Sequence, residues 1–301
     1  MLEPMTRPRT ATPASANAGV RRRVGTVPLS DGVTWTRQDG PTDGRPILLI
    51  HGATVPHWEF DGLAPVLAQA GFRVFRYDLY GHGRSARPDR RYDRGLFVRQ
   101  AEAVMDHFDL VPAKTAVLGH SMGAAVAAAL AGRRPIPRLI LMAPMLDFSS
   151  SNPFGPLLRT PVIGEAFMAL VGRPGLIRRR RIRYGAIGRP DLARRFRAQT
   201  RRTGFWNAML RIERDGALGD QRQAYFSAAR RGVRTLIVRG TDDPIIPAAD
   251  TETIAELFSI KTRIDLDGLA HNLMLVDPVR VGEQIVTFLR PESSATHSST
   301  N

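Results

Sequence analysis

Short apolar runs recur along the chain, each closed by glycine or a polar turn and separated from the next by segments of helical period. Residues 46–50 (PILLI), 72–77, 115–118, 138–142, 235–238 (TLIV) and 262–266 read as strands. The wholly apolar run at 46–50 is what helices covering both faces of a sheet demand. The intervening helices are expected over 55–70, 95–110, 122–132, 248–258 and 278–290. Residues 26–40 alternate polar and apolar positions around Ser30-Asp31-Gly32, the signal of an antiparallel hairpin capping one sheet edge. The pattern changes over residues 147–232, where no buried strand is visible. Only helix-like pieces remain there, broken by Pro153, Pro156, Pro161, Pro174 and Pro190.

The stretch 115–131, TAVLGHSMGAAVAAALA, organises the rest. An apolar run breaks at Gly119-His120-Ser121-Met122-Gly123 and restarts as an Ala-rich helix, which places a serine at the corner of a strand–turn–helix unit. A hydroxyl is a weak nucleophile at neutral pH, so lifting it from the sheet is useful only when a base can reach it. Glycines two residues before and after Ser121 suit a strained elbow in which a side chain would strike neighbouring backbone. The Met122 amide, at the helix N-terminus, would then face a developing oxyanion.

This motif and its context resemble the α/β-hydrolase superfamily, and the resemblance runs over about residues 27–290. It implies an α/β-hydrolase fold: a mostly parallel sheet flanked by helices, built from 26–146 and 233–290, with a helical cap over 147–232 inserted after the sixth strand. His51-Gly52-Ala53 stands where the family places its oxyanion loop, which makes the Ala53 amide the second donor and Met122 the first. In this family a histidine at the position of His51 supports that loop. Asp78 to Ser85, D-x-x-G-x-G-x-S, matches a structured loop near the mouth of the site, with His82 read as architecture. Gly240-Thr241-Asp242-Asp243-Pro244 resembles the acid loop and assigns that role to Asp243 ahead of Asp242. His271, after the last strand, occupies the place of the base. The chain order Ser121, Asp243, His271 is the family's order.

A serine at the elbow argues against the dehalogenase and epoxide-hydrolase branches, which need aspartate there. The resemblance implies a carboxylic ester hydrolase of the esterase and monoacylglycerol-lipase-like neighbourhood, acting on a small hydrophobic substrate without a cofactor or metal. C–C hydrolysis of meta-cleavage products comes second, and perhydrolysis or cyclisation by the same residues stays open. Trp58, Tyr80, His120, Phe154, Phe167, Phe205 and Trp206 are expected to supply the substrate pocket. The run Arg178 to Arg181 is expected to face water.

Composition refines this picture modestly. The 301 residues carry a net charge of +15, and only Lys114 and Lys261 are lysines. Arginine excess without a binding motif or aromatic interleaving does not point to a nucleic-acid partner. No apolar stretch is long enough for an integral membrane segment. The absence of cysteine removes disulfides and thiolate chemistry. Residues 1–25 read as a disordered basic tail without the apolar centre of a secretory signal, so a cytoplasmic protein is expected. Residues 291–301, rich in Ser and Thr, read as a second disordered tail. Oligomeric state is not readable.

Overall fold

The structure, a computed structural model, describes residues 22–260 and 263–290. The terminal tails read from the sequence lie outside these residues except for 22–25, and there the reading needs correction. β1 (Arg23–Leu29) begins inside the expected tail and pairs antiparallel with β2 (Gly32–Asp39), with Arg23 opposite Gln38. Residue 262, the first of the expected last strand, is likewise outside the described set.

Six further strands complete one sheet: β3 (Arg45–Ile50), β4 (Phe72–Tyr77), β5 (Ala116–His120), β6 (Arg138–Met142), β7 (Arg234–Gly240) and β8 (Ile264–Leu266). Their order is β1-β2-β4-β3-β5-β6-β7-β8, antiparallel at the β1/β2 and β2/β4 pairings and parallel from β4 to β8. The expected α/β-hydrolase architecture is therefore present, with the alternating hairpin at the edge and the apolar runs in the centre.

Thirteen α-helices accompany the sheet among the described residues. α1 (Leu63–Gln69), α2 (Arg94–His107) and α3 (Met122–Arg133) precede β6. Between β6 and β7 lie α4 (Phe148–Ser151), α5 (Gly155–Arg159), α6 (Ile163–Phe167), α7 (Arg173–Ala186), α8 (Pro190–Thr200), α9 (Phe205–Arg214) and α10 (Arg222–Arg230). α11 (Ala248–Leu257), α12 (Leu273–Val276) and α13 (Pro278–Leu289) follow. Several of the prolines that interrupt the pattern open helices: Pro156, Pro174 and Pro190 stand in the first turns of α5, α7 and α8, where no intrahelical N–H is needed.

Alternate strand residues sort to opposite faces, as a period of two requires. Leu48, Ile50, Phe75 and Val117 pack on one face with Leu96, Val126 and Tyr225 of α2, α3 and α10. Ile47, Leu49, Val74 and Leu118 pack on the other with Leu63 of α1 and Ile285 of α13. This two-sided core holds the C-terminal ends of β3, β5, β6, β7 and β8 side by side. The loops leaving those ends carry every group of the candidate site except those from the insertion.

Candidate active site

Ser121 links β5 to α3 with φ 55° and ψ −119°, a conformation that an L-residue keeps only when its surroundings impose it. The flanking glycines show how. A Cβ on Gly119 would lie 2.1 Å from the Gly123 carbonyl oxygen, and one on Gly123 would lie 2.3 Å from that of Ile50. The elbow is thus pressed against β3, and its backbone is held further by the Ser121 amide donating to Met142 O at 2.9 Å.

The loop after β8 brings His271 to the same cavity as Ser121. Its Nδ1 lies 2.8 Å from Oδ2 of Asp243, which leaves the loop after β7. The other oxygen of Asp243 accepts from the amides of Ile245 (2.8 Å) and Ile246 (3.1 Å). Burial works to raise the pKa of this carboxyl, but His271 and the two amides outweigh it and hold the pKa below its ordinary value. Asp242 is exposed, and its Oδ1 accepts only from the neighbouring Thr241 hydroxyl. For His271, burial pushes the pKa down to about 4 against the pull of Asp243, with His120 and Arg180 pushing the same way as burial. The ring is therefore neutral at neutral pH, the state a proton acceptor needs.

His120 belongs to a pair that the sequence did not reveal. Its Nδ1 is 3.1 Å from Oε1 of Glu59, and its Nε2 is 3.0 Å from the His271 carbonyl oxygen. Both ring nitrogens meet acceptors, so only the imidazolium satisfies both. Burial opposes that charge, yet Glu59 raises the His120 pKa above its ordinary value. Oε1 of Glu59 also accepts from the Gly52 amide at 3.0 Å. The Glu59–His120 pair thereby ties the loop after β3 to the loop that carries His271.

The Gly52–Ala53 loop has two more supports. His82 Nε2 is 2.7 Å from Ala53 O, and His51, which donates from Nδ1 to Gly52 O at 2.7 Å, accepts the Leu79 amide on Nε2 at 2.8 Å. Both histidines are fully buried and hold loop backbone. The amides of Ala53 and Met122 donate to no other described residue.

Ser121, His271, Ala53 and Glu59 line a cavity of about 230 Å³. Its apolar wall comes from Met145, Phe148, Leu176, Leu218, Ile245 and Ile246. His120 lines it as expected, with both nitrogens already engaged. The aromatic residues expected there are placed elsewhere. Trp58 is buried with its indole N–H on Gln199 Oε1 at 3.3 Å and the Arg195 guanidinium over its ring. Tyr80 is buried and donates to Gly32 O at 3.1 Å. Trp206 stacks edge-on against Phe205 in the core, and Phe154 lies on the surface against Phe167. Phe205 and Trp206 of the insertion join the buried cluster that covers one face of the sheet, and Phe154 stays exposed.

The arginine run also departs from expectation. Arg179, Arg180 and Arg183 line the cavity, while Arg178 and Arg181 are exposed outside it. Four consecutive helical residues sweep about 300° around the axis, so the run cannot present a single face to water. Among the described residues no group of three or more His, Asp or Glu side chains is placed to hold a metal ion. No described helix is long and apolar enough to cross a membrane.

Comparison with known proteins agrees with this architecture. A non-heme chloroperoxidase of Streptomyces lividans is 27% identical over 286 residues, covering 89% of this chain and 100% of the relative. A haloalkane dehalogenase structure from Bradyrhizobium elkani superposes with a TM-score of 0.73 at 20% identity, covering 89% of this chain and 97% of that one. A meta-cleavage product hydrolase of Pseudomonas fluorescens gives 0.69 at 20% identity, covering 88% and 97%. Residues 47–284 match the alpha/beta hydrolase family, and the chain is a member of that family.

Proposed function

We propose that the protein is a serine hydrolase that cleaves a carboxylic ester, or a related acyl bond, through an acyl-enzyme on Ser121. The observation that carries this reading is the 2.8 Å His271–Asp243 bond beside an elbow serine in one shared cavity. His271 takes the Ser121 proton as Oγ attacks the acyl carbon, and Asp243 holds the imidazole in the tautomer whose Nε2 can accept it. The tetrahedral oxyanion is received by the amides of Ala53 and Met122, donors with no acceptor among the described residues. Each such donor is worth on the order of 3 kcal/mol in the transition state. His271 then returns its proton to the leaving alcohol and activates the water that releases the acid.

A fluorophosphonate probe tests the assignment. The native protein should be labelled and should hydrolyse short p-nitrophenyl esters; Ser121→Ala should do neither while keeping its near-UV circular dichroism. Retention of turnover by a clean Ser121→Ala preparation would remove Ser121 from the mechanism. A second reading is cofactor-free perhydrolysis, in which hydrogen peroxide intercepts the same acyl-enzyme. It is supported by the relative named a non-heme chloroperoxidase, matched over its whole length. Peracid formation from a short carboxylic acid and peroxide distinguishes it.

A further inference from the structure

α7 turns one stripe toward the cavity, formed by Leu176, Arg179, Arg180 and Arg183. Those positions are three, four and seven residues along the helix from Leu176, so they share a face. Arg180 is only 7% exposed, and its hydrogen bonds go to neutral acceptors, Asn272 Oδ1 at 3.0 Å and Thr54 Oγ1 at 2.6 Å. Among the described residues none of Arg179, Arg180 and Arg183 has a carboxylate partner. Elsewhere on the insertion such partners are common: Arg159 meets Glu213, Arg189 meets Asp191, Arg195 meets Asp61 and Arg214 meets Glu165. A charge taken out of water without a counter-charge is unfavourable, so buried Arg180 needs a reason, as does its convergence on one cavity with half-buried Arg183 and rim-exposed Arg179.

The carboxylates of the cavity do not supply it. Asp243 is committed to His271 and two amides, and Glu59 to His120 and Gly52. With His120 charged, four cations line the cavity against one carboxylate, Glu59, while Asp243 stands behind His271. Arg183 registers this crowding: burial and then Arg180 lower its pKa, with a smaller push from Arg179, and the more distant pull of Asp243 does not offset them. The remaining wall is apolar, and the volume, about 230 Å³, falls below the roughly 300–1,000 Å³ of drug-sized sites.

We propose that the substrate is an acyl ester bearing an oxyanion group, carboxylate or phosphate, a short apolar spacer away from the scissile carbonyl, with Arg179 and Arg183 seating that group. A guanidinium offers the planar fork that either anion accepts. The apolar wall takes the spacer, and Arg180 is the fixed cation behind the pair. This inference rests on the serine-hydrolase reading above and revises the neutral substrate expected from the sequence.

The test uses mono-4-nitrophenyl adipate, its terminal phosphonate analogue, and the neutral primary-amide analogue of the same length. For the native protein, kcat/KM for one acidic ester should exceed that for the amide by about tenfold or more, the scale of a charge-assisted hydrogen bond. Whichever acid is preferred identifies the anion. In Arg179→Gln/Arg183→Gln this preference should collapse toward one, whereas Arg178→Gln/Arg181→Gln, on the outward face, should retain it. Hydrolysis of the amide ester with no preference for either acid, or a preference that survives the inward double variant, overturns the inference while leaving the hydrolase reading standing. If no ester is turned over, adipate and inorganic phosphate are tested as ligands by thermal shift. Stabilisation of the native protein but not of the inward double variant supports the anion site although the hydrolase reading fails. No stabilisation overturns both.

Discussion

Replacing Glu59 by glutamine removes one charge from beneath the site and leaves its hydrogen bonds available. Both bonds converge on Oε1, so the amide oxygen placed there can accept from the Gly52 amide and from His120 Nδ1–H, but no anion remains to support the imidazolium and His120 is expected to lose its proton. The charge that depresses the His271 pKa from the neighbouring ring is lost with it. The two ring centroids are 4.8 Å apart. At an effective dielectric of about 20, unit charges at that separation interact by roughly 3.5 kcal/mol, equivalent to about two and a half pH units. Loss of the Glu59 charge acts in the opposite sense and trims this, so a rise of about one to two pH units is expected. His271 must be neutral to accept the serine proton, so activity is present above its pKa and lost as pH falls through it. The acid limb of kcat/KM, measured on a neutral ester at constant ionic strength, reports that pKa in the free enzyme. It should lie near pH 4 in the native protein and move to between about 5 and 6 in Glu59→Gln. A native limb at or above 6.5, or a limb that does not move upward in the variant, would refute the account of a charged His120.

Two further substitutions separate chemistry from scaffolding. Asp243→Asn should lower kcat by about four orders of magnitude by leaving His271 in the wrong tautomer, whereas Asp242→Asn should change it little; steady-state kinetics on one ester decides between them, and the reverse ranking would move the acid upstream. Trp58→Ala should cost about 3–5 kcal/mol of stability in urea unfolding through loss of a buried ring, with KM little changed because the ring lies outside the cavity; a large rise in KM at preserved stability would return Trp58 to the pocket.

Much of the site was readable from the chain because its parts follow backbone rules. An elbow serine needs glycines at fixed offsets, and a parallel sheet places successive strand ends together, so Ser121, Asp243 and His271 could be located from the runs that precede them. Side-chain direction in the insertion was a different matter. Trp206 lies in the first turn of α9 and Phe154 just ahead of α5, and aromaticity alone does not say which partner such a ring meets. The arginine run did contain a usable signal. Leu176 and Tyr184 stand four residues on either side of Arg180, so the apolar positions of α7 already pointed its stripe inward. Glu59 had no motif; its only mark was a carboxylate between Trp58 and Phe60 in an otherwise apolar turn.

Arg180 has a mechanical consequence beyond its charge. It bonds Thr54, beside the proposed oxyanion donor Ala53, and Asn272, beside His271, so one side chain of the insertion fastens both loops of the candidate site. Swinging the insertion away as a hinged flap would break both bonds and leave a guanidinium without acceptors. Traffic into the cavity is therefore better served by rotation of the exposed Arg179 at the rim, a nanosecond event, than by slow rigid-body opening. In such an arrangement the rim opens while the roof stays in place.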